Sequence, residues 1–252
     1  MCYNQPMTQK NFKLEIAHLY PKLLNLYGDK GNILALQKRC TWRNIEVNIT
    51  EINLKDKINP SNFDIYFIGG GQDTQQVLVA NELQQNKTAL QEAADKNKVF
   101  LGICGGYQLF GKYYLTAEKR ELPGICLLDI YTEAGNKRLI SNVSARCDFI
   151  ASKMIVGFEN HSGKTFIQKG THPIATIISG NGNNGEDKTE GARKKNVFGT
   201  YLHGSFLPKN PEFSDLMIQL ALENKYNDKI TLEPLDDAIE TALLKQLSNK
   251  KY

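Results

Sequence analysis

"VFLGICGGYQLFG", residues 99–111, is the stretch that decides the fold. An apolar run ends in one cysteine and two glycines, then passes into a new amphipathic segment. A Gly-x-Cys-Gly-Gly turn between a buried strand and a helix is a nucleophile elbow. The tight turn lifts the side chain above the sheet edge, and the glycines relieve crowding around it. Cys104 then stands at a helix N-terminus, where unpaired N–H groups and the helix dipole favour a thiolate. An isolated free cysteine is ordinarily a small buried residue. At the carboxyl end of a central strand it lies instead where open α/β sheets bind ligands.

The flanking sequence supplies that sheet. "FKLEIAHLY" (12–20), "IEVNITEI" (45–52), "FDIYFIGGG" (63–71) and "KVFLGI" (98–103) read as strands. Between them, 31–44 reads as a helix with Asn32 as its N-cap, and 74–97 as a long helix of good helix formers. The run "GYQLFGKYY" reads as the opening of another. Apolar strands alternating with helices imply a parallel sheet covered on both faces. After about residue 120 the texture changes to short β-like runs. The polar, glycine-rich segment 179–195 reads as a mobile loop, and 196–204 as a last strand ending in histidine. Helices are expected at about 211–225 and 236–249.

Composition excludes several classes. No apolar run approaches the roughly 18 residues of a membrane span, and the N-terminus lacks a charged-then-apolar signal pattern. The expected location is therefore the cytoplasm. A net charge of +4 with scattered basic residues gives no nucleic-acid footprint. Five cysteines without a CxxC argue against a disulfide framework and a zinc site, so no metal is expected. Cys2, Cys40, Cys126 and Cys147 receive no role.

A thiol nucleophile needs a base. His203, in "GTYLHGSF", ends an apolar strand as Cys104 does, and His161, in "GFENHSG", is its competitor. Acyl transfer also needs an oxyanion hole. The N–H of Gly105, next after the nucleophile, is one donor, and the Gly69-Gly70-Gly71 run that ends a strand supplies the other.

"FIGGGQD", "GICGGYQLFG", "GFENHSGKT" and "FGTYLHG", with "LYPKLLNLYGDKGNILALQKR" near the N-terminus, together resemble class I glutamine amidotransferases. The likeness, over about residues 14–225, is to the cobyric-acid-synthase-like (CobB/CobQ-like) branch, and within it to the glutaminase subunits of lipid II isoglutaminyl synthase. It implies a flavodoxin-like α/β three-layer sandwich with a mostly parallel central sheet. The amidotransferase domain would span 12–225, with a helical extension at 226–252 and a disordered tail at 1–11. It implies Cys104 as nucleophile, His203 as general base and acid, Gly71 and Gly105 as oxyanion-hole N–H donors, and Arg138 as the clamp on the glutamine carboxylate.

The resemblance further implies a heterodimer with a MurT-like subunit of the Mur-ligase family, which would carry ATP and Mg. The ammonia would amidate the α-carboxyl of D-glutamate in lipid II, at the inner face of the membrane. No cofactor is expected in this chain. In "GFENHSGKT" five residues separate Gly157 from Gly163, where a phosphate loop requires four. Many members of the class place a glutamate two residues after the histidine; here that position is Ser205. The third triad member is thus remote, with Glu159 a candidate, supplied by another chain, or absent. Alternatives are an amidotransferase subunit for a corrinoid-type acid, a stand-alone cysteine hydrolase of the same fold, a non-catalytic binding module, and N-terminal nucleophile chemistry at Cys2.

Overall fold

Neighbouring residues of the central strands point to opposite faces, and both faces are apolar. Tyr66 and Phe100 pack into one buried cluster while Phe67 and Leu101 pack into the other. Such strands can only be covered by elements on both sides. The computed structural model describes residues 11–248 and shows how. In chain order the elements are β1 (Lys13–Leu19), α1 (Lys30–Thr41), β2 (Glu46–Ile52), β3 (Ile65–Ile68), α2 (Asp73–Asp95), β4 (Val99–Ile103) and α3 (Gly105–Leu109). There follow β5 (Tyr113–Leu115), β6 (Glu121–Pro123), β7 (Ile130–Arg146), β8 (Met154–Ile167), β9 (Ala175–Ser179), β10 (Thr189–Glu190), β11 (Ala192–Lys194) and β12 (Val197–Thr200). Helices α4 (Phe206–Lys209), α5 (Pro211–Tyr226) and α6 (Ala238–Ser248) complete the described chain.

The central sheet has the order β11-β12-β4-β3-β1-β2. Every pair in it is parallel except β11 with β12. From β2 to β12 this is the doubly wound order whose strand sequence reverses beside β1, so the crevice for a ligand opens at the carboxyl ends. Helix α1 buries Ile33, Leu36 and Cys40, a spacing that lines one helical face. No helix among the described residues is long and apolar enough to cross a membrane.

Three expectations are corrected, and one reading is extended. The helix after Cys104 is only Gly105–Leu109, and Tyr113–Leu115 is a strand, parallel to β7 and antiparallel to β6. The short β-like runs after residue 120 form a second sheet, β10-β9-β7-β5-β6 with β8 on β7, dominated by the long β7–β8 ribbon. Asn32 is not a cap: it lies inside α1, and its side chain accepts the Leu207 N–H at 2.8 Å. Segment 179–195 is not a free loop either. Asn183, Glu190 and Ala192 are fully buried and the segment supplies β10 and β11. Asn183, Asn184 and Glu190 face inward and bond there, which composition does not reveal. The expected tail at 1–11, with Cys2, lies outside the described residues except for Asn11, and so do the last four residues of the expected extension.

Candidate active site

Four neighbouring parallel strands, β12, β4, β3 and β1, present their carboxyl ends side by side. Each delivers one part of the site. Strand β4 leads into Cys104, whose backbone adopts φ 50° and ψ −104°. A non-glycine residue there is strained by about 1–3 kcal/mol, and such strain marks an elbow that holds its side chain out of the sheet. The turn is fixed by the Cys104 N–H on Thr200 O at 2.9 Å and the Gly106 N–H on Gly69 O at 3.2 Å. A Cβ on Gly106 would stand 2.6 Å from Ile68 O, so glycine is what lets α3 start against β3.

Strand β12 leads to His203, which is fully buried. Its main chain brackets Phe158 of β8, with His203 N–H on Phe158 O at 2.7 Å. Strand β3 ends in the glycine run. A Cβ on Gly70 would lie 2.9 Å from His203 Cε1 and 3.3 Å from Cys104 Cβ, so Gly70 touches both residues. Burial alone would hold the His203 pKa down, but the adjoining Cys104 and Asp29 outweigh it and raise it to about 10. His203 therefore stands as an imidazolium beside Cys104. Cys40 and Cys147 are buried thiols pushed up to about 12 by desolvation, so they do not compete as nucleophiles.

Gly71 and Gly105 are neighbours: the Gly71 nitrogen lies 3.4 Å from where a Gly105 Cβ would stand. A buried polar chain supports this corner. Gln76 of α2 donates to Gln108 of α3, Gln108 to the Tyr201 hydroxyl, and Tyr201 bonds Thr165, which bonds Thr132. Each link is 2.6–3.0 Å. The chain ties the glycine loop's helix and the elbow to the β7–β8 ribbon.

Arg138 stands on that ribbon, exposed, with its guanidinium on the Asn160 side chain and on Asn160 O at 3.5 Å. Asn160 lies two residues from Phe158, which brackets His203. His161 is turned to structural use. Its ring stacks on Tyr201 at 3.5 Å between centroids, and its Nδ1 meets Gly163 O at 2.7 Å. The whole "GFENHSGKT" run belongs to β8, so it forms no phosphate loop.

Glu159 is not the partner of His203. It is fully buried and accepts from Ser141 Oγ, the Asn181 main chain and side chain, and the Gly182 N–H. Burial alone would raise its carboxyl, but His161, then Ser141 and Asn181, outweigh it and hold it below the usual range. Glu159 thus pins segment 179–183. The carboxylate beside His203 is Asp29, fully buried, with Oδ1 3.8 Å from His203 Nδ1. Sequence reasoning missed it. Its one local signal, an aspartate just before a helix, reads as an ordinary N-cap. Ser205, at the position where the class often carries glutamate, donates instead to Gly28 O at 2.7 Å and so ties the histidine loop to the turn that carries Asp29.

A CobB/CobQ-like glutamine amidotransferase domain matches residues 15–211. The lipid II isoglutaminyl synthase (glutamine-hydrolyzing) subunit GatD of Staphylococcus aureus is 46% identical over 84% of this chain and 86% of its own length. The subunit of the same name from Streptococcus pneumoniae is 35% identical over 95% of this chain and 92% of its own. Among solved structures, the PurLQS structure from Thermotoga maritima contains a chain that superposes with a TM-score of 0.60 at 16% identity, covering 86% of this chain and all of that one. That likeness concerns the fold alone.

Proposed function

This chain belongs to the CobB/CobQ-like glutamine amidotransferase domain family, and from that premise we propose that it is the glutamine-hydrolysing subunit of a lipid II isoglutaminyl synthase. The observation that carries the chemistry is the strained Cys104 elbow facing the buried, charged His203 at adjoining strand ends. The similarity to GatD over most of both chains carries the acceptor.

The Cys104 thiolate attacks the side-chain amide carbon of glutamine. The oxyanion that forms is held by the Gly71 and Gly105 N–H groups, whose nearness supports the assignment. As the C–N bond breaks, His203 gives its proton to the nitrogen and ammonia leaves. Neutral His203 then takes a proton from water, and the hydroxide attacks the thioester carbon. Cys104 departs as thiolate, glutamate is released and His203 is again charged. Arg138 clamps the substrate carboxylate from the ribbon beside the histidine.

Ammonia does not displace oxygen from a free carboxylate, so the acceptor must first be activated. We assign that step, with ATP and Mg, to a partner subunit of the Mur-ligase type. That places the work in the cytoplasm, at the membrane face that displays the lipid-linked substrate. Residues 12–225 form the amidotransferase domain and 226–252 an extension.

The test is Cys104→Ser in the reconstituted complex. Glutamine hydrolysis and glutamine-dependent amidation should vanish while amidation from added ammonia persists. Normal glutamine hydrolysis by that variant rejects Cys104 as nucleophile, and loss of the ammonia reaction rejects the division of labour.

A further inference from the structure

We infer that Asn160 is a positioning residue that aims the Arg138 guanidinium, so that the clamp for the glutamine carboxylate is built into β8 at a fixed reach from Cys104 and His203. The inference rests on the glutaminase reading above. It starts from a slip in the β7–β8 pairing. Ala134 pairs with Gly163 and Leu139 with His161, so residues 135–138 stand against Ser162 alone. A bulge of this kind re-aims the side chains it carries, and Arg138 is its last residue. An exposed arginine that sampled all its rotamers would have to be ordered by every substrate molecule, at a cost in affinity. Arg138 is ordered beforehand. Its Nε–H donates to Asn160 Oδ1, and Nη2 reaches Asn160 O at 3.5 Å. The Nε edge of the guanidinium is thereby committed. A carboxylate meets it at the Nη1/Nη2 end, where two parallel bonds are available.

Asn160 is itself held by its neighbours. Successive side chains of a strand face opposite ways. Glu159 and His161 point inward and are anchored there. Glu159 takes donors from Ser141, Asn181 and Gly182, and His161 stacks on Tyr201 and bonds Gly163 O. Asn160, half-buried between them, faces the other way. Its main chain cannot shift without disturbing both anchors.

The same strand touches the catalytic elements on either side of Asn160. Two residues earlier, Phe158 exchanges both main-chain bonds with His203, at 2.7 and 3.4 Å. Three residues later, a Cβ on Gly163 would collide with Gln108 Nε2 of α3, the helix that opens at the elbow. At roughly 3.4 Å per residue, the contact to the base, the holder of the clamp and the contact to the elbow helix fall within about 17 Å of one strand. β8 therefore fixes where the carboxylate is gripped relative to where the amide is attacked. Mere stitching of the ribbon does not call for this side-chain pair, because β7 and β8 are already paired by main chain from Leu139 to Arg146.

Asn160→Ala in the complete complex is the test. KM for glutamine should rise by about 3- to 10-fold, the scale of one hydrogen bond. The kcat should stay near its original value, as expected when only ground-state binding is lost, and amidation from added ammonia should be unaffected. Added to Arg138→Ala, the substitution should raise KM no further, because the two side chains act as one unit. With glutaminamide, which lacks the carboxylate, kcat/KM should be the same with and without Asn160→Ala. A purely structural pair would behave in the opposite way, lowering Tm and leaving KM alone. An unchanged KM for glutamine, an equal loss with glutaminamide, or a full further rise of KM in the double variant overturns the inference. These outcomes are read in a complex that hydrolyses glutamine. Absence of that hydrolysis in the unsubstituted complex is the separate result that overturns the glutaminase reading, and this inference with it.

Discussion

Gly70 separates the catalytic pair by no more than a hydrogen atom, and Gly70→Ala replaces that hydrogen with a methyl group. The added carbon would stand 2.9 Å from His203 Cε1, 3.3 Å from Cys104 Cβ and 3.5 Å from Asp29 Oδ2. Carbon atoms in contact prefer about 3.5–4.0 Å, so the ring must recede by roughly 0.6–1.1 Å. It cannot swing into solvent, because it is fully buried and its main chain is bonded to Phe158. A displacement of about 1 Å within a catalytic array costs about 100-fold in rate, or about 2.7 kcal/mol of barrier. The methyl also overpacks the site by about 1–3 kcal/mol, which lowers Tm by about 2–4 °C for each kcal/mol in a protein of this size. The assay is glutamate release by the complex under saturating glutamine, with Tm measured in parallel. Gly170→Ala is the control. Its φ of +95° makes any side chain strained, yet nothing lies within 4 Å of the new carbon. It should lose about 1 kcal/mol of stability and keep its kcat. A Gly70→Ala enzyme with kcat within about threefold of the original, under 1 kcal/mol of barrier, refutes the close packing of base, nucleophile and glycine loop.

Two further outcomes follow from named contacts. Arg138→Ala should raise KM for glutamine by roughly 10- to 150-fold, the equivalent of about 1.5–3 kcal/mol for a charged hydrogen-bonded contact; steady-state kinetics with an unchanged KM removes it from the site. Arg39 grips Asp215 at 2.6 and 2.7 Å and Asp237 at 2.6 and 2.8 Å, clamping α1 to α5 and to the start of α6. Arg39→Ala should cost about 2 kcal/mol by stranding Asp237, while Asp215 keeps its two bonds from Arg43, and should lower Tm by about 4–8 °C without changing kcat; a Tm within a degree of the original would show that the clamp holds nothing.

Some of this protein was decided by its sequence alone. The alternating apolar strands and helices require a doubly covered parallel sheet, since no other arrangement buries both strand faces. Gly102-Ile103-Cys104-Gly105-Gly106 announces the elbow because that turn is a local steric event: the residues that make it possible lie within the motif. The Gly69-Gly70-Gly71 run and the strand-ending His203 are legible for the same reason. The carboxylate that stands beside His203 is not. Asp29 meets His203 only because β1 and β12, far apart in the chain, stand in one sheet with just β4 and β3 between them and their carboxyl ends on one side. Before that arrangement exists, the cap reading falls on Asn32, Asp29 is passed over, and Glu159 stands as the candidate acid within the chain. The tertiary structure reverses the two, giving Glu159 a full set of donors from Ser141, Asn181 and Gly182 and turning Asp29 away from its own helix. It also decides that residues 182–184 and 190–192 of the polar segment are buried, because partners for the side chains there arrive from β8 and β12. Local motifs fix what a residue is able to do; long-range strand order fixes which residue it does it with.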